Sequence, residues 1–194
     1  MKKAPAIRIS GGRFKGQKIA LPASEKTRPT KAIVRESLFD TLQNDLLEAG
    51  FVEVFAGSGS VGLEAISRGC ETVCFMEQDP EAIATLKANL KALKLSDAHL
   101  FWGDSFTRIR EVQTLLRQLR QSAWFYFDPP FDIREAFEDI YARTLAAIEA
   151  LDAQEALGAV IEHRSRVELP AQIGLFSRAK TRRFGSTTLT YYLP

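Results

Sequence analysis

Residues 52–65 read Val-Glu-Val-Phe-Ala-Gly-Ser-Gly-Ser-Val-Gly-Leu-Glu-Ala. The apolar run that ends at Phe55 and Ala56 predicts a strand, and the apolar residues after Ser60 recur at helical spacing. Between them, Gly57-Ser58-Gly59 predicts a sharp turn that lets a ligand reach main-chain N–H groups. The stretch therefore predicts a strand, a turn and a helix. It is typical of several nucleotide-binding proteins, although a purely structural turn is the alternative.

The rest of the chain repeats this alternation. We expect strands at 51–56, 72–76, 98–101, 123–127 and 157–162, and helices at 31–47, 60–68, 80–93, 105–120 and 134–151. Two further segments, 172–178 and 187–193, read as strands joined by basic residues and Gly185, with no helix between them. The sequence therefore predicts an α/β fold: a mostly parallel seven-stranded sheet with helices on both faces and a C-terminal antiparallel hairpin.

The first 30 residues form a separate predicted unit. Residues 6–20 read as a β-hairpin, and Thr30 suits the N-cap of the first helix. An apolar stripe along that helix consists of Ile33, Val34, Leu38, Leu42 and Leu46. We therefore divide the chain into an N-terminal extension at 1–30 and a main domain at 31–194.

The composition is that of an ordinary soluble globular domain. The 194 residues are 45% hydrophobic and 26% charged, which is enough apolar material for a real core. No run approaches 18 uncharged apolar residues, and the start at Met1-Lys2-Lys3 has no apolar segment behind it. Cys70 and Cys74 have no His or Cys cluster near them, so we expect reduced thiols and no metal site. We expect a cytoplasmic monomer without membrane contact.

Charge is distributed unevenly along the chain. Residues 1–35 carry +9 and residues 164–194 carry +5, whereas residues 36–163 carry −12. Basic ends of this kind favour a polyanion such as a nucleic acid. Within the hairpin, Arg8, Arg13, Lys15 and Lys18 surround Phe14 and predict a surface for phosphates and a stacked base. A merely solvated hairpin is the alternative.

Acidic residues follow two of the predicted strands. Ligands of open α/β sheets lie beyond the carboxyl ends of the strands, so these positions carry information about binding. Glu77 ends the second parallel strand, where a carboxylate can accept hydrogen bonds from both hydroxyls of a ribose, and Asp79 is its competitor. Asp104 and Ser105 follow the third strand, where a carboxylate can accept from an adenine amino group.

The fourth strand ends in Asp128-Pro129-Pro130-Phe131, the most informative tetrapeptide of the chain. Two prolines fix the backbone and remove two N–H donors, so the turn presents only acceptors: the Asp128 carboxylate and the Pro129 carbonyl. Two acceptors can hold the lone pair of a nucleobase NH2 group toward an electrophile and stabilise charge that develops on nitrogen. Phe131 offers a face on which an extruded base can stack. A simple turn is the alternative.

These features resemble the Rossmann-like class I S-adenosylmethionine-dependent methyltransferases. Residues 55–62 resemble the cofactor loop of that class, Glu77 its ribose acid, Asp104 its adenine-side acid, and residues 128–131 its amino-methylating signature. More narrowly, nearly the whole chain resembles the RsmD family of 16S rRNA guanine-N2 methyltransferases. The segments that carry this narrower resemblance are Arg8-Ile-Ser-Gly-Gly-Arg13, Lys15-Gly16, Thr27-Arg-Pro-Thr30, Val34-Arg-Glu-Ser-Leu-Phe39 and the terminal hairpin with Gly185.

The resemblance implies methyl transfer from S-adenosylmethionine to N2 of guanine 966, within the small ribosomal subunit or a late assembly intermediate. It implies in-line transfer to a flipped guanine that Asp128 and Pro129 hold, that Phe131 stacks upon and that Pro130 helps to position. The cofactor residues that it implies are Glu53, Phe55, Ala56, Gly57, Ser58, Gly59, Glu77, Gln78, Asp104 and Ser105. The expected RNA contacts, which would make the extension an RNA-binding unit, are Arg8, Arg13, Lys15, Arg28, Lys31 and Arg35.

Three rival functions stay open at this point. The tetrapeptide at 128–131 equally suits N6 of adenine, in DNA or in another RNA. Gly57-x-Gly-x-x-Gly62 with Glu77 also fits an NAD-dependent oxidoreductase. A non-catalytic RNA-binding relative would keep the fold without the chemistry.

Overall fold

The computed structural model describes residues 5–22, 30–130 and 137–194. Its strands are β1 (Ala6–Arg8), β2 (Lys18–Ala20), β3 (Gly50–Glu53), β4 (Val73–Glu77), β5 (His99–Trp102), β6 (Ala123–Phe127), β7 (Ala156–Arg164), β8 (Gln172–Ile173), β9 (Phe176–Phe184) and β10 (Thr187–Leu193). Its helices are α1 (Ala32–Leu42), α2 (Ser60–Ser67), α3 (Pro80–Ala92), α4 (Ser105–Leu119) and α5 (Phe137–Glu149).

One mixed sheet dominates the fold, and it confirms the predicted α/β class. Its strand order is β5-β4-β3-β6-β7-β10-β9-β8, while β1 and β2 pair separately as an antiparallel hairpin. The first five strands in that order run parallel, and β10, β9 and β8 are antiparallel to their neighbours. Within the described residues the sheet therefore has eight strands instead of the predicted seven, because the two-residue β8 adds an edge strand.

The strands alternate between two cores because successive side chains of a strand point to opposite faces. Phe51 and Trp124 pack on one face with α1, α2, α3 and the N-terminal hairpin. Val52 and Phe125 pack on the other face with α4 and α5. Burial on both faces explains why these strands read as continuous apolar runs in the sequence. Because β5, β4, β3, β6 and β7 run parallel, their carboxyl ends lie at the same end of the sheet.

Buried hydrogen bonds fix the hairpin to the main domain. Glu64 of α2 is fully buried, and its carboxylate accepts from Ser10 N at 2.9 Å, Ser10 Oγ at 2.7 Å and Gly11 N at 2.8 Å. Asn89 of α3 bonds both the N–H and the carbonyl of Ala20. These bonds hold the hairpin against α2 and α3, and Leu21 and Pro22, which follow β2, line the main cavity described below. Residues 1–4 and 23–29 of the predicted extension lie outside the described part of the chain, and its boundary stays a prediction.

Two local predictions are wrong. The side chain of Thr30 does not cap α1: Lys31 is the N-cap residue, without a side-chain capping bond, and Thr30 turns toward Asp128 instead. Ile33 is 60% exposed and does not belong to the apolar stripe. Among the described helices, none combines the length and the apolar character needed to cross a bilayer.

Candidate active site

A cavity of about 1080 Å³ lies at the carboxyl ends of the parallel strands. Its size is at the upper end of ligand-binding cavities, enough for a cofactor and part of a second ligand. Most of the predicted cofactor and catalytic residues line it: Glu53, Phe55, Ala56, Gly57, Ser58, Glu77, Gln78, Asp104, Ser105, Asp128, Pro129 and Pro130. The structure therefore brings together residues that are up to 77 positions apart in sequence.

The glycine turn forms one wall. Gly57 and Gly59 have φ angles of 54° and 77°, in the left-handed region that favours glycine. Gly59 is not among the residues that line the cavity. A Cβ there would lie 2.3 Å from Leu86 Cδ1, so this glycine closes the turn against the core. Gly62 likewise allows α2 to pack closely on Phe75.

Glu77 is held in a fixed orientation by backbone donors. Its Oε2 accepts from Gly57 N at 2.7 Å, and its Oε1 accepts from Gln78 N and Asp79 N, each at 2.8 Å. Asp79, the predicted competitor, caps α3 by accepting from Glu81 N and Ala82 N. Glu77 is therefore the better placed of the two carboxylates to hold a ribose.

Glu53 is a buried carboxyl beneath the glycine turn. It is 2% exposed and accepts from Val61 N at 3.1 Å and from Gly62 N at 2.8 Å. Burial raises the pKa of Glu53 to about 8, and the two backbone hydrogen bonds only partly oppose this shift. A cationic amino group placed beside Glu53 would favour its ionised form.

Asp104 belongs to a polar and aromatic wall that the sequence only partly predicted. Its Oδ1 accepts from Phe106 N, and its Oδ2 accepts from Arg143 Nη2, each at 2.8 Å. The Arg143 guanidinium lies 4.1 Å from the centre of the Phe106 ring, which meets Phe55 edge-on at 5.5 Å. Partial desolvation raises the pKa of Asp104, but the bonds from Arg143 and Phe106 outweigh it and lower the pKa overall.

Ser105 differs from its predicted role in detail. Its side chain is buried, and its hydroxyl donates to the carbonyl of Val54, the residue that follows β3. The hydroxyl therefore fixes the start of α4 against the sheet. Phe106 and Arg143, which the sequence analysis missed, form the flat surface at this end of the cavity. A ring can stack on a surface of this kind.

The acceptor-only corner, which consists of Asp128, Pro129 and Pro130, faces the same cavity as the glycine turn. Asp128, Pro129 and Pro130 follow β6 directly and line the cavity, and Thr30 Oγ1 donates to Asp128 Oδ2 at 3.3 Å. Burial and the nearby Glu162 raise the pKa of Asp128 well above its ordinary value. Phe131 lies outside the described residues, so its stacking role stays a prediction.

Glu162 is the main acidic residue that the sequence analysis overlooked. It lies in β7, is 5% exposed and lines the cavity beside Asp128. The Tyr126 hydroxyl donates to Glu162 Oε2, and Thr30 Oγ1 lies 3.4 Å from that hydroxyl. Burial raises the pKa of Glu162 and of Tyr126. The sequence pattern could have indicated Glu162 as a site residue. It ends the predicted strand at 157–162, as Glu77 ends the strand before α3.

The predicted RNA residues fall into three groups. Arg8, Arg13 and Lys15 are exposed on the hairpin, and Lys31 is exposed at the rim of the cavity. Arg28 lies outside the described residues. The prediction that Arg35 contacts RNA does not fit its position, because its side chain is only 2% exposed. Arg35 donates to Thr30 O at 2.7 Å and to Arg8 O at 2.9 Å, and it therefore stabilises the hairpin from the protein interior.

Further basic residues border the cavity from the C-terminal strands. Arg166 and Arg183 are exposed and line it, on elements whose positive charge the sequence had indicated. Residues 180–183 lie within β9, not in a connection as predicted. The cavity is therefore acidic inside and basic at its rim.

Similarity to known proteins extends over most of the chain. Residues 7–193 match the protein family described as "Conserved hypothetical protein 95". The chain is 30% identical over 188 residues to "Putative rRNA methyltransferase YlbH" of Bacillus subtilis (strain 168), which covers 96% of this chain and 98% of the relative. It is 34% identical over 125 residues to "Ribosomal RNA small subunit methyltransferase D" of Escherichia coli (strain K12), across 64% of this chain and 60% of that protein.

A solved structure shares the whole architecture. "Putative methyltransferase yhhF from Escherichia coli" superposes with a TM-score of 0.75 and 27% identity, over 97% of this chain and 98% of that chain. The matched region includes the N-terminal hairpin and the C-terminal strands.

Proposed function

The chain belongs to the conserved hypothetical protein 95 family, and we propose that it is an S-adenosylmethionine-dependent rRNA methyltransferase that modifies an exocyclic amine. One observation carries the proposal: the acceptor-only corner at residues 128–130 borders the same cavity as the glycine turn and Glu77. The names of the relatives from B. subtilis and E. coli, both described as rRNA methyltransferases, support the reaction class.

The donor set of the cavity fits S-adenosylmethionine. Glu77 would accept from the ribose hydroxyls, and Asp104 would accept from the adenine amine beside the surface of Phe106 and Arg143. Glu53 offers a carboxyl to the methionine ammonium group. When bound, S-adenosylmethionine supplies an electrophilic methyl carbon on a sulfonium centre.

The residues of the corner provide orientation and electrostatic stabilisation. Asp128 and the Pro129 carbonyl accept the two N–H bonds of the target amine, so its lone pair points at the methyl carbon. The bound cofactor would supply the methyl carbon for the new N–C bond, and its sulfur would take the electron pair of the broken C–S bond. Burial raises the pKa of Asp128, which makes this carboxylate a suitable acceptor for the proton that the amine then loses.

The thiols are unsuited to a covalent route. Both cysteines are free and buried, and burial raises the pKa of Cys70 and of Cys74 to about 12. A protonated, buried thiol is a poor nucleophile toward a base. The proposal is therefore direct transfer to nitrogen.

The target that we propose is N2 of a guanine in 16S rRNA, guanine 966 by the family resemblance. The name of the E. coli relative, "Ribosomal RNA small subunit methyltransferase D", supports the small-subunit rRNA part of this assignment. The alternative is N6 of adenine in DNA or another RNA, because the residues of the corner accept from any amine.

A transfer assay separates these substrates. The protein and isotopically labelled S-adenosylmethionine are incubated with unmethylated small ribosomal subunits, or with duplex DNA at equal nucleotide concentration. We expect label in the rRNA and none in the DNA. Label in DNA alone would reject the rRNA assignment, and tight binding of NAD with none of S-adenosylmethionine in titration calorimetry would reject the methyltransferase assignment.

The exposed hairpin residues carry a separate prediction about RNA binding. Replacing Arg13 and Lys15 with alanine should weaken RNA binding and lower the salt slope by about 0.7 for each phosphate that the variant no longer neutralises. Affinity for S-adenosylmethionine should not change, because neither residue lines the cavity. The matched control is replacement of Lys87 and Lys91, two exposed lysines of α3. A salt slope equal to that of the wild type would place the RNA on another surface.

A further inference from the structure

Glu162 stands level with Asp128 at the edge of the sheet. Strands β6 and β7 run parallel with Phe127 paired to Ile161, so the next residue of each strand is Asp128 and Glu162 respectively. Both residues line the cavity. Glu162 has no part in the proposed binding of the cofactor. A second carboxyl therefore lies next to the acceptor-only corner.

Two hydroxyls fix the pair of carboxyls. Tyr126 donates to Glu162 Oε2, and Thr30 Oγ1 lies 3.4 Å from the Tyr126 hydroxyl while it donates to Asp128 Oδ2 at 3.3 Å. Because Tyr126 and Thr30 are themselves buried, each hydroxyl holds its own carboxyl in place. The arrangement is preorganised before any base enters.

Guanine and adenine present different edges to such a pair. Guanine has an N1–H donor directly beside its N2 amine, so its edge offers donors to two neighbouring acceptors. Adenine has an amine beside an unprotonated N1, whose lone pair would face the second acceptor. The corner alone accepts either amine, whereas a corner with an adjacent carboxyl oxygen favours guanine.

We propose that Glu162 accepts a hydrogen bond from N1–H of the target guanine and thereby selects guanine over adenine. This inference rests on the proposed function, because it concerns the base whose amine Asp128 holds. Glu162 is a specificity-determining residue. The Tyr126 and Thr30 hydroxyls are positioning groups, since they act on the base through the two carboxyls.

The surroundings of Glu162 act on its ionisation in both directions. Burial raises the pKa of Glu162, and the hydrogen bonds from Tyr126 and Thr30 and the positive charges of Lys31 and Arg35 only partly oppose this shift. Lys31 also lies at the rim, near the entrance that a base would use. An N1–H donor would add one more hydrogen bond to the carboxyl and favour its ionised form further.

The test uses 2-aminopurine, which keeps the exocyclic 2-amine of guanine but has an unprotonated N1 and lacks the 6-oxo group. The Glu162→Gln variant described below separates the effect of N1 from that of the missing oxygen. Small subunits are reconstituted with ligated 16S rRNA that carries guanine or 2-aminopurine at the modified position, and kcat/KM is measured for each. We expect the wild type to prefer guanine by about 100-fold, because the analogue leaves the buried acceptor unpaired.

Glu162→Gln assigns that preference to this side chain. Its amide can donate to an unprotonated N1, so the preference for guanine should fall to about tenfold or less. Glu168→Gln, at an exposed glutamate shortly after β7, should keep the wild-type ratio. Affinity for S-adenosylmethionine should stay within about twofold of the wild-type value in both variants, which checks that the cavity is intact.

Two results would overturn the inference. A wild-type enzyme that methylates 2-aminopurine as well as guanine would exclude N1–H recognition without any variant. An unchanged ratio in Glu162→Gln, with intact cofactor affinity, would assign the recognition to another group. Failure of the proposed function is distinguishable, because the wild type would then transfer no methyl group to the guanine substrate.

Discussion

Replacing Asp128 with alanine should reduce methyl transfer by about 10³-fold, while the affinity for S-adenosylmethionine changes by no more than a few-fold. The carboxylate borders the space for the base, and the predicted cofactor contacts come from Glu77, Asp104 and Glu53. Loss of the Asp128 carboxylate therefore removes a group that orients the target amine and stabilises the positive charge that develops on its nitrogen. Single-turnover rates with small subunits and titration calorimetry with the cofactor measure the two effects separately.

Asp97→Ala is the matched control for this prediction. Asp97 is an exposed aspartate before β5, outside the cavity lining, so its loss should leave both quantities unchanged. Undiminished turnover in Asp128→Ala would contradict the role of the corner. A parallel loss of cofactor affinity would instead assign Asp128 to cofactor binding.

Replacing Glu77 with alanine should weaken S-adenosylmethionine binding by about 100-fold or more. In this variant the two ribose hydroxyls would lose their common acceptor. Hydrogen bonds to a charged group are stronger than those between neutral groups. The substitution also frees the N–H of Gly57, which bonds to Glu77 at 2.7 Å, so the glycine turn loses part of its support. Calorimetric titration of the cofactor into the purified protein gives the affinity directly.

Glu71→Ala is the matched control. Glu71 is exposed and lies just before β4, at the opposite end of that strand from Glu77. Its replacement should leave cofactor affinity at the wild-type value. If Glu77→Ala bound the cofactor as tightly as the wild type, the ribose would have to lie against other residues.

The parallel part of the fold was predictable because buried parallel strands are short apolar runs. Strand β6 has the predicted bounds, 123–127, and every one of its residues is buried. Strand β9 was cut short in the prediction, since most of its side chains are exposed and many are basic. Its backbone still pairs with β10, and a hydrogen-bonded ladder does not require apolar side chains.

The site was predictable where topology alone brings residues together. Glu77, Asp104 and Asp128 each lie at or just after the carboxyl end of a parallel strand. Because those ends are neighbours in the sheet, the three carboxyls line the same cavity. Arg143 reaches Asp104 from a helix 39 positions later, and this contact depends on how α5 is rotated about its axis, which the sequence does not specify. The burial of Arg35 was unexpected because arginine is seldom buried; its partners include backbone carbonyls that no sequence pattern marks.

The identity of the modified nucleoside shows whether the corner at residues 128–130 holds an exocyclic guanine amine. Small ribosomal subunits that lack the modification are incubated with the protein and S-adenosylmethionine, and their rRNA is digested and resolved by mass spectrometry. We expect N2-methylguanosine at a single position of the 16S rRNA. N6-methyladenosine, or a methyl group on a carbon or ribose atom, would contradict the assignment of the corner at 128–130 to an exocyclic guanine amine.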